Sequence, residues 1–393
     1  GALSAATVMA QNQRVEITGS AIKRIDAETS VPVTIVKIDD LKSQGVTSVE
    51  QIMSSLSAVQ MTQGSSQQVG SGTGGASFAD MRGVGPSKTL VLLNGRRIAN
   101  NAIDGSAPDL NMIPFAALER VEVLRDGASS LYGTDAIGGV INFITRKDFR
   151  GGSVTLGVDV PAEKGGKSRS ANVGFGFGDL SSQGFNIFGF LDIAKTDQIK
   201  GTQRPFNARF PGGISAATSP ANYFQGGAVG NPSAPTCTDP SFLTPVAGGS
   251  SCNIATSSFV DYTAKTERTS GMLRGSLRLG QDHTLTGEWF ATRNESTTGI
   301  APVPYSGTFM NPTRPDGSPN PFFPGNPGAI TPNITIDPAY VRPAGMTPRP
   351  GVVLQPGFLN LRWRAIDGGQ RSNTSINDQH RLLAGLEGVV GGW

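Results

Sequence analysis

LNMIPFAALERVEVLRDGASSLYGTDAIGGVINFITRK, residues 110–147, is the stretch where the chain changes character. Its pattern predicts a short helical turn over 114–118, a strand over 120–125, a tight turn with a small loop, and a second strand over 139–145. Val121 and Val123 fall on one face of the first strand, Glu122 and Leu124 on the other. Val140, Ile141, Phe143 and Ile144 surround a single Asn142, the composition of a mostly buried strand. Gly127, Gly133, Gly138 and Gly139 supply the turn conformations between them. Upstream the sequence is compact and mixed α/β. Downstream it becomes weakly hydrophobic strands and very long loops.

Working back toward the N-terminus, TLVLL (89–93) is a buried strand followed by the hairpin-type turn Asn94-Gly95. PVTIVK (32–37) is a β-branched strand. Thr47 and Glu50 form a capping box before the helical set Val49, Ile52, Met53 and Leu56. Residues 31–148 thus offer five or six short strands and two or three short helices, enough for one small α/β domain. Gly70, Gly72 and Gly75 match a dinucleotide fingerprint formally, but a polar tract precedes them and the strand-like 78–83 follows, so they make a loop. Residues 14–18 alternate in a polar tail: either the domain's first strand, or a strand that adds to a partner's sheet edge. Residues 1–10 read as the end of a secretory signal peptide cut after Ala10, or as a flexible Ala-rich terminus.

After Arg150 the period becomes two. Val154, Leu156, Val158 and Val160 oppose Ser153, Thr155, Gly157 and Asp159. Further strands are expected at 171–178, 185–194, 271–280, 284–292, 359–365 and 380–390. Turns near 179–183 and 281–283 are short, whereas the connections at about 195–265 and 295–357 are very long. Short turns at one end and long loops at the other mark an outer-membrane β-barrel. Arg274, Arg278, Glu288, Arg362 and Arg364 are expected to line a wet lumen. About seven strands are counted, below the minimum of about eight in single-chain barrels, so a longer barrel is expected.

The composition fits. Apolar residues make up 37% of the 393, with 52 Gly and 26 Pro, which favours turns and strands over helix bundles. No apolar run reaches the roughly 18 residues of a transmembrane helix, which leaves barrels untouched. A net charge of +3 without a basic aromatic stripe gives no sign of nucleic-acid binding. Two Cys and two His argue against a metal centre, and no cofactor is expected. No Ser/His/Asp set, zinc-protease motif or Walker A points to an enzyme.

VEITGS (15–20), FADMRGVGPSKTLVLLNGRRI (78–98) and ERVEVLRDGASSLYGTDAIGGVINFITRK (119–147) strongly resemble TonB-dependent outer-membrane receptors. The resemblance is close over residues 14–150 and holds only in pattern beyond. It implies a barrel of roughly 22 strands filled by an N-terminal plug, of which this chain holds the first third. Carried over, Val15, Glu16, Ile17 and Thr18 are the TonB box within a linker over 11–30, residues 31–148 the plug, and residues 149–393 the first barrel strands. The implied activity is active transport of a scarce ligand, an iron–siderophore complex or an oligosaccharide-type nutrient, across the bacterial outer membrane. Proton motive force would act through TonB with ExbB and ExbD, with the plug and box facing the periplasm. A passive porin or surface adhesin is the alternative. Arg82 and Arg125 match the family's two plug arginines, which face barrel glutamates; local pairing with Asp80, Glu119, Glu122 or Asp126 is the other reading. Cys237 and Cys252 fall in an extracellular loop of an exported protein, where a disulfide is natural and two unpaired thiols the alternative. His283 and His380 alone give haem no support.

Overall fold

The computed structural model describes residues 33–60, 75–125, 129–204, 213–238, 241–246, 249–346, 348 and 350–388. The first unit is a five-stranded sheet in the order β1-β4-β5-β2-β3, with β1 Val33–Lys37, β2 Thr89–Leu93, β3 Arg96–Arg97, β4 Leu118–Leu124 and β5 Gly139–Thr145. β2 and β5 run parallel and the other pairs antiparallel. Helices α1 Ile38–Ser43 and α2 Val49–Ser55 lie on one face. The helix cap sits one residue later than the sequence suggests. The N-cap is Ser48, whose hydroxyl accepts from the Gln51 amide, while Gln51 Oε1 accepts from the Thr47 amide.

Both strands of the opening stretch form, and β5 is buried along its whole length. Asn142 is tolerated there because its Oδ1 accepts the Gly95 amide at 2.9 Å, fixing the β2–β3 turn. Asn94 reciprocates by accepting the Thr145 amide. Gly139, at φ 135°, admits no Cβ, which would lie 2.6 Å from Met81 Sδ and 2.7 Å from the Leu124 carbonyl. The glycine pair there is therefore a matter of space as well as turn geometry. The helical turn before β4 is split into two 3-10 turns, Leu110–Met112 and Phe115–Ala117.

The second unit is an antiparallel meander of six strands: β6 Gly151–Asp159, β7 Ser168–Phe177, β8 Phe185–Thr196, β16 Lys265–Leu279, β17 His283–Ile300 and β20 Arg371–Gly388. The turns at 178–184 and 280–282 are short. Side chains alternate as a barrel wall requires. Val154, Leu156, Val173, Phe175, Ile187, Leu191, Leu273, Leu285, Trp289 and Leu382 are exposed on the outer face. Asn186, Phe188, Phe190, Asp192, Ser270, Met272, Glu288, Phe290 and Thr292 are buried on the inner one. An apolar outer face this continuous is a lipid-facing surface. The fold is a membrane antiparallel β-barrel wall with an α/β plug on its inner side.

Three expectations are corrected. Among the described residues the wall has six strands, because 359–364 does not join it. That segment (β19 Leu359–Arg364) belongs to a separate sheet at the loop end, with β10 Ile214–Ser215, β11 Asn222–Gln225, β12 Ala228–Gly230, β13 Ser241–Val246, β14 Gly249–Ala255 and β18 Pro304–Met310. The long connections thus fold on themselves. A smaller ladder, β9 Ile199–Lys200 with β15 Asp261–Thr263, sits beneath. Arg364 and Arg362 accordingly do not line a lumen. Arg364 is buried and donates to the carbonyls of Ala217 and Pro302, and Arg362 lies 4.7 Å over the Phe224 ring. Finally, β16, β17 and β20 extend well past their apolar segments, because polar partners such as Arg293 and Asp378 keep the ladder paired.

Candidate functional site

The site is the contact between plug and wall. It has an apolar side and a polar side. On the apolar side, Phe188, Phe190, Met272 and Phe290 of the wall share one buried cluster with Leu110, Ile113, Phe115 and Ala116 of the plug. Each such side chain removed from water contributes about 1.5–3 kcal/mol. The 3-10 turns bring these plug residues forward, and the inward alternation of β8, β16 and β17 brings the wall residues to meet them. The plug loop at Gly75 closes on β17 at Ser296.

That loop is pinned by Asp109. Its Oδ1 accepts the amides of Ser77 and Asn111, each at 3.0 Å, and Asn111 Nδ2 donates to the Gly75 carbonyl. Its Oδ2 and the Ser77 hydroxyl have no partner among the described residues. Burial raises the Asp109 carboxyl to about 6, only partly opposed by the two amides.

The polar side carries the charges. Asp192 pairs with Arg268 at 3.2 Å and Arg274 with Glu288 at 3.0 Å, all on the inner wall. Lys42 of α1 faces Asp192 and lies 5.4 Å over the Phe115 ring. Burial, followed by the neighbouring Arg146 charge, lowers the Lys42 ammonium. Arg268 Nε, Ser270 Oγ, Arg274 Nε, Glu288 Oε1, Thr292 Oγ1 and Ser296 Oγ are buried without a hydrogen-bond partner among the described residues. This half of the contact is polar, of a kind that bridging water satisfies.

Two cavities follow from this. One of about 380 Å3 lies between Ser48, Gln51 and Asn111 of the plug and Ser168, Thr266 and Arg268 of the wall. The other, about 350 Å3, is lined by Lys42, Phe115 and Arg146 with Thr155, Asn172 and Phe190. Thr47 and Ser170 border both, so the two cavities adjoin between the plug and β6–β8.

Val15, Glu16, Ile17 and Thr18 lie outside the described residues, as does the glycine tract at 70 and 72. Arg82, at φ 61°, and Arg125 are both exposed. Their chain neighbours Met81 and Leu124 both pack on Gly139, so the two arginines leave the plug from one place. Among the described residues Arg125 makes no ion pair; the local carboxylates Glu119 and Glu122 pair with Arg120. Cys237 and Cys252 are bonded to each other, with Cα atoms 5.7 Å apart, across the loop sheet. Sequence reasoning missed Lys42, Asp109 and Asp192. The strand period placed Asp192 on a face, but only the fold shows what stands opposite it.

The family model of the TonB-dependent receptor plug domain matches residues 26–140. Among solved structures, the chain is similar to a mutant of the ferric enterobactin receptor PfeA from Pseudomonas aeruginosa. Identity is 21% over 68% of this chain and 33% of that one, with a TM-score of 0.46. The siderophore receptor PirA from Acinetobacter baumannii gives 18% identity, 73% and 42% coverage and a TM-score of 0.39. The ferric yersiniabactin uptake receptor FyuA from Yersinia pestis gives 13%, 69%, 42% and 0.35. The chain spans less than half the length of each of these three. Residues 26–140 thus match the plug domain of TonB-dependent receptors, and the strands that follow form the wall this unit packs against.

Proposed function

We propose that the protein is an energy-coupled importer of the outer membrane, in which movement of the plug admits a scarce external ligand. The observation that carries this reading is a family plug seated on a lipid-faced wall through a contact that is half apolar and half polar. Such a contact holds the plug in place while leaving one side that separates without exposing apolar surface. The cavity lined by Ser48, Gln51, Ser168 and Thr266 lies on that side.

In this reading residues 11–30 are the linker, and Val15, Glu16, Ile17 and Thr18 pair as a strand with TonB, which ExbB and ExbD energise. The plug and box face the periplasm, and the long loops face outward. Arg82 and Arg125, leaving the plug together, serve as its latch to barrel carboxylates. The ligand is an iron–siderophore complex or an oligosaccharide-type nutrient. Deleting residues 14–18 should abolish ligand uptake and growth on the limiting iron or sugar source, with ligand binding unchanged. Uptake that survives the deletion favours a passive porin or an adhesin.

A further inference from the structure

The plug meets the wall unevenly, and side-chain size is the reason. On β8, β16 and β17 the inward positions carry Phe188, Phe190, Met272 and Phe290, which close on the plug. On β6 and β7 the inward positions pair Ser153 with Gly174, Thr155 with Asn172 and Gly157 with Ser170. None of these reaches as far as a phenylalanine, so a cavity of about 350 Å3 is left between β6–β7 and α1. That volume is in the range of small-molecule sites. Gly174 is held small by its neighbours, since a Cβ there would lie 2.6 Å from the Phe190 ring.

The lining of this cavity is divided by chemistry. Phe115 of the plug, Phe149 of the connection into β6 and Phe190 of the wall supply three rings, and the Phe149 and Phe190 centroids lie 5.0 Å apart. Lys42 and Arg146 supply two cations against one carboxylate, Asp39. Arg146 Nη2 binds Asp39 Oδ1 at 2.9 Å, which leaves Lys42 as the surplus charge. Lys42 makes no ion pair among the described residues, and its ammonium lies 5.4 Å over the Phe115 ring. Burial and then the Arg146 charge disfavour that ammonium, and Asp39 and Asp192 oppose them only in part. An anion placed there restores what burial takes away. Rings beside a surplus cation suit an anion with a flat apolar body.

We propose that this cavity binds a small aromatic carboxylate, with its ring among Phe115, Phe149 and Phe190 and its carboxylate on Lys42. The adjoining cavity at Ser48 and Thr266 does not select such a molecule. It has no aromatic lining, and its two carboxylates, Glu50 and Asp159, balance Arg169 and Arg268. Lys42 and Phe115 belong to the plug, and Thr155, Asn172 and Phe190 to the wall, so one bound molecule spans both units. It therefore binds the seated plug better than a displaced one, and its occupancy holds the plug in place. In the importer reading above, on which this last consequence rests but the binding does not, the site is a lock that slows ligand entry.

The test uses the full chain folded in detergent and calorimetric titration with benzoate. Benzyl alcohol keeps the ring without the charge, and acetate keeps the charge without the ring. Benzoate should bind at least about tenfold tighter than either. Lys42→Met keeps the apolar stem and should weaken benzoate at least about tenfold. Thr155→Leu, which fills the cavity from the wall, should abolish binding. Arg150→Gln, whose partner Asp179 lies outside the cavity, should leave binding unchanged. Asp39→Asn frees Arg146 for the anion and should tighten benzoate, a gain that misfolding does not produce. Benzoate should also slow hydrogen exchange at residues 38–46 in the wild type and not in Thr155→Leu. Absence of benzoate binding overturns the proposal. Equal affinity for benzoate and acetate overturns it in favour of a free-anion site, and equal affinity for benzoate and benzyl alcohol in favour of an apolar one. Benzoate that binds without slowing exchange at 38–46 overturns the lock. None of these outcomes depends on residues 14–18, so the importer reading stands or falls by its own deletion.

Discussion

Gly75 of the plug and Ser296 of β17 approach so closely that a Cβ on Gly75 would lie 1.9 Å from Ser296 Oγ. Gly75 also has φ +80°, a conformation that side chains disfavour. Gly75→Ala should therefore push the loop off the wall and strain its backbone, at a cost of about 1–3 kcal/mol. Faster hydrogen exchange at residues 75–77 and 109–111, with the outer strands unchanged, would show it. Unchanged exchange at these residues would mean that the plug does not touch β17 here.

Asp109 makes plug stability fall as pH rises. Its carboxyl titrates near 6 in the fold and near 3.9 in the unfolded chain. The folded state thus holds its proton more tightly. The contribution is full below about pH 4 and is lost as pH climbs through 6, by up to roughly 3 kcal/mol. Asp109→Asn keeps an oxygen for the Ser77 and Asn111 amides and removes the charge. It should raise the plug's melting temperature at pH 7.5 and leave it nearly unchanged at pH 4. An equal shift at both pH values would refute this account.

Glu288→Ala strands Arg274 on the inner wall, where the pair is 3.0 Å long and Glu288 is almost wholly buried. A dry buried pair would lose about 3–5 kcal/mol. The polar side chains around it make this surface hydrophilic, so a loss of roughly 1–3 kcal/mol is expected, visible in chemical denaturation. Replacing both partners with Met should cost less than the single change. A loss of about 3–5 kcal/mol in the single variant would place the pair in a dry core.

The loop sheet should melt apart from the wall. Its own cluster of Tyr223, Phe323 and Leu359 shares no residue with the plug–wall core, and Cys237–Cys252 bridges it. Cys237→Ser with Cys252→Ser closes no loop in the unfolded chain and should lower loop-sheet stability by about 3 kcal/mol. Proteolysis should then cut within 213–258 while the wall stays resistant to heat-induced unfolding in detergent. A thiol reagent should find no free cysteine in the unreduced wild type.

Much of this was legible in the residues, and the limits are physical. Period two along 153–160 and 271–292 gives the wall and its lipid face, because alternation is a local property of a strand. Asn142 reads as one polar residue in a buried strand and Gly138 and Gly139 as turn residues, yet their partners, Gly95 and Met81, are distant in sequence. Leu359–Arg364 alternates as well as any wall strand. Period alone does not say which sheet a strand joins; its partners in β11 and β18 decide that. Lys42 and Asp192 became a pair of interest only once the plug was seated, since they lie on different units.

The 18-residue lengths of β17 and β20 have a consequence for what first meets the protein. At about 3.4 Å per residue and a tilt near 45°, such strands rise roughly 40 Å, well past an apolar band of about 25 Å. The surplus lifts the disulfide-bonded sheet like a mast head, some 15 Å clear of the hydrocarbon. In the proposed orientation, a phage tail, an antibody or a bulky cargo kept off the bilayer by a dense sugar coat would therefore reach this sheet before the wall beneath it.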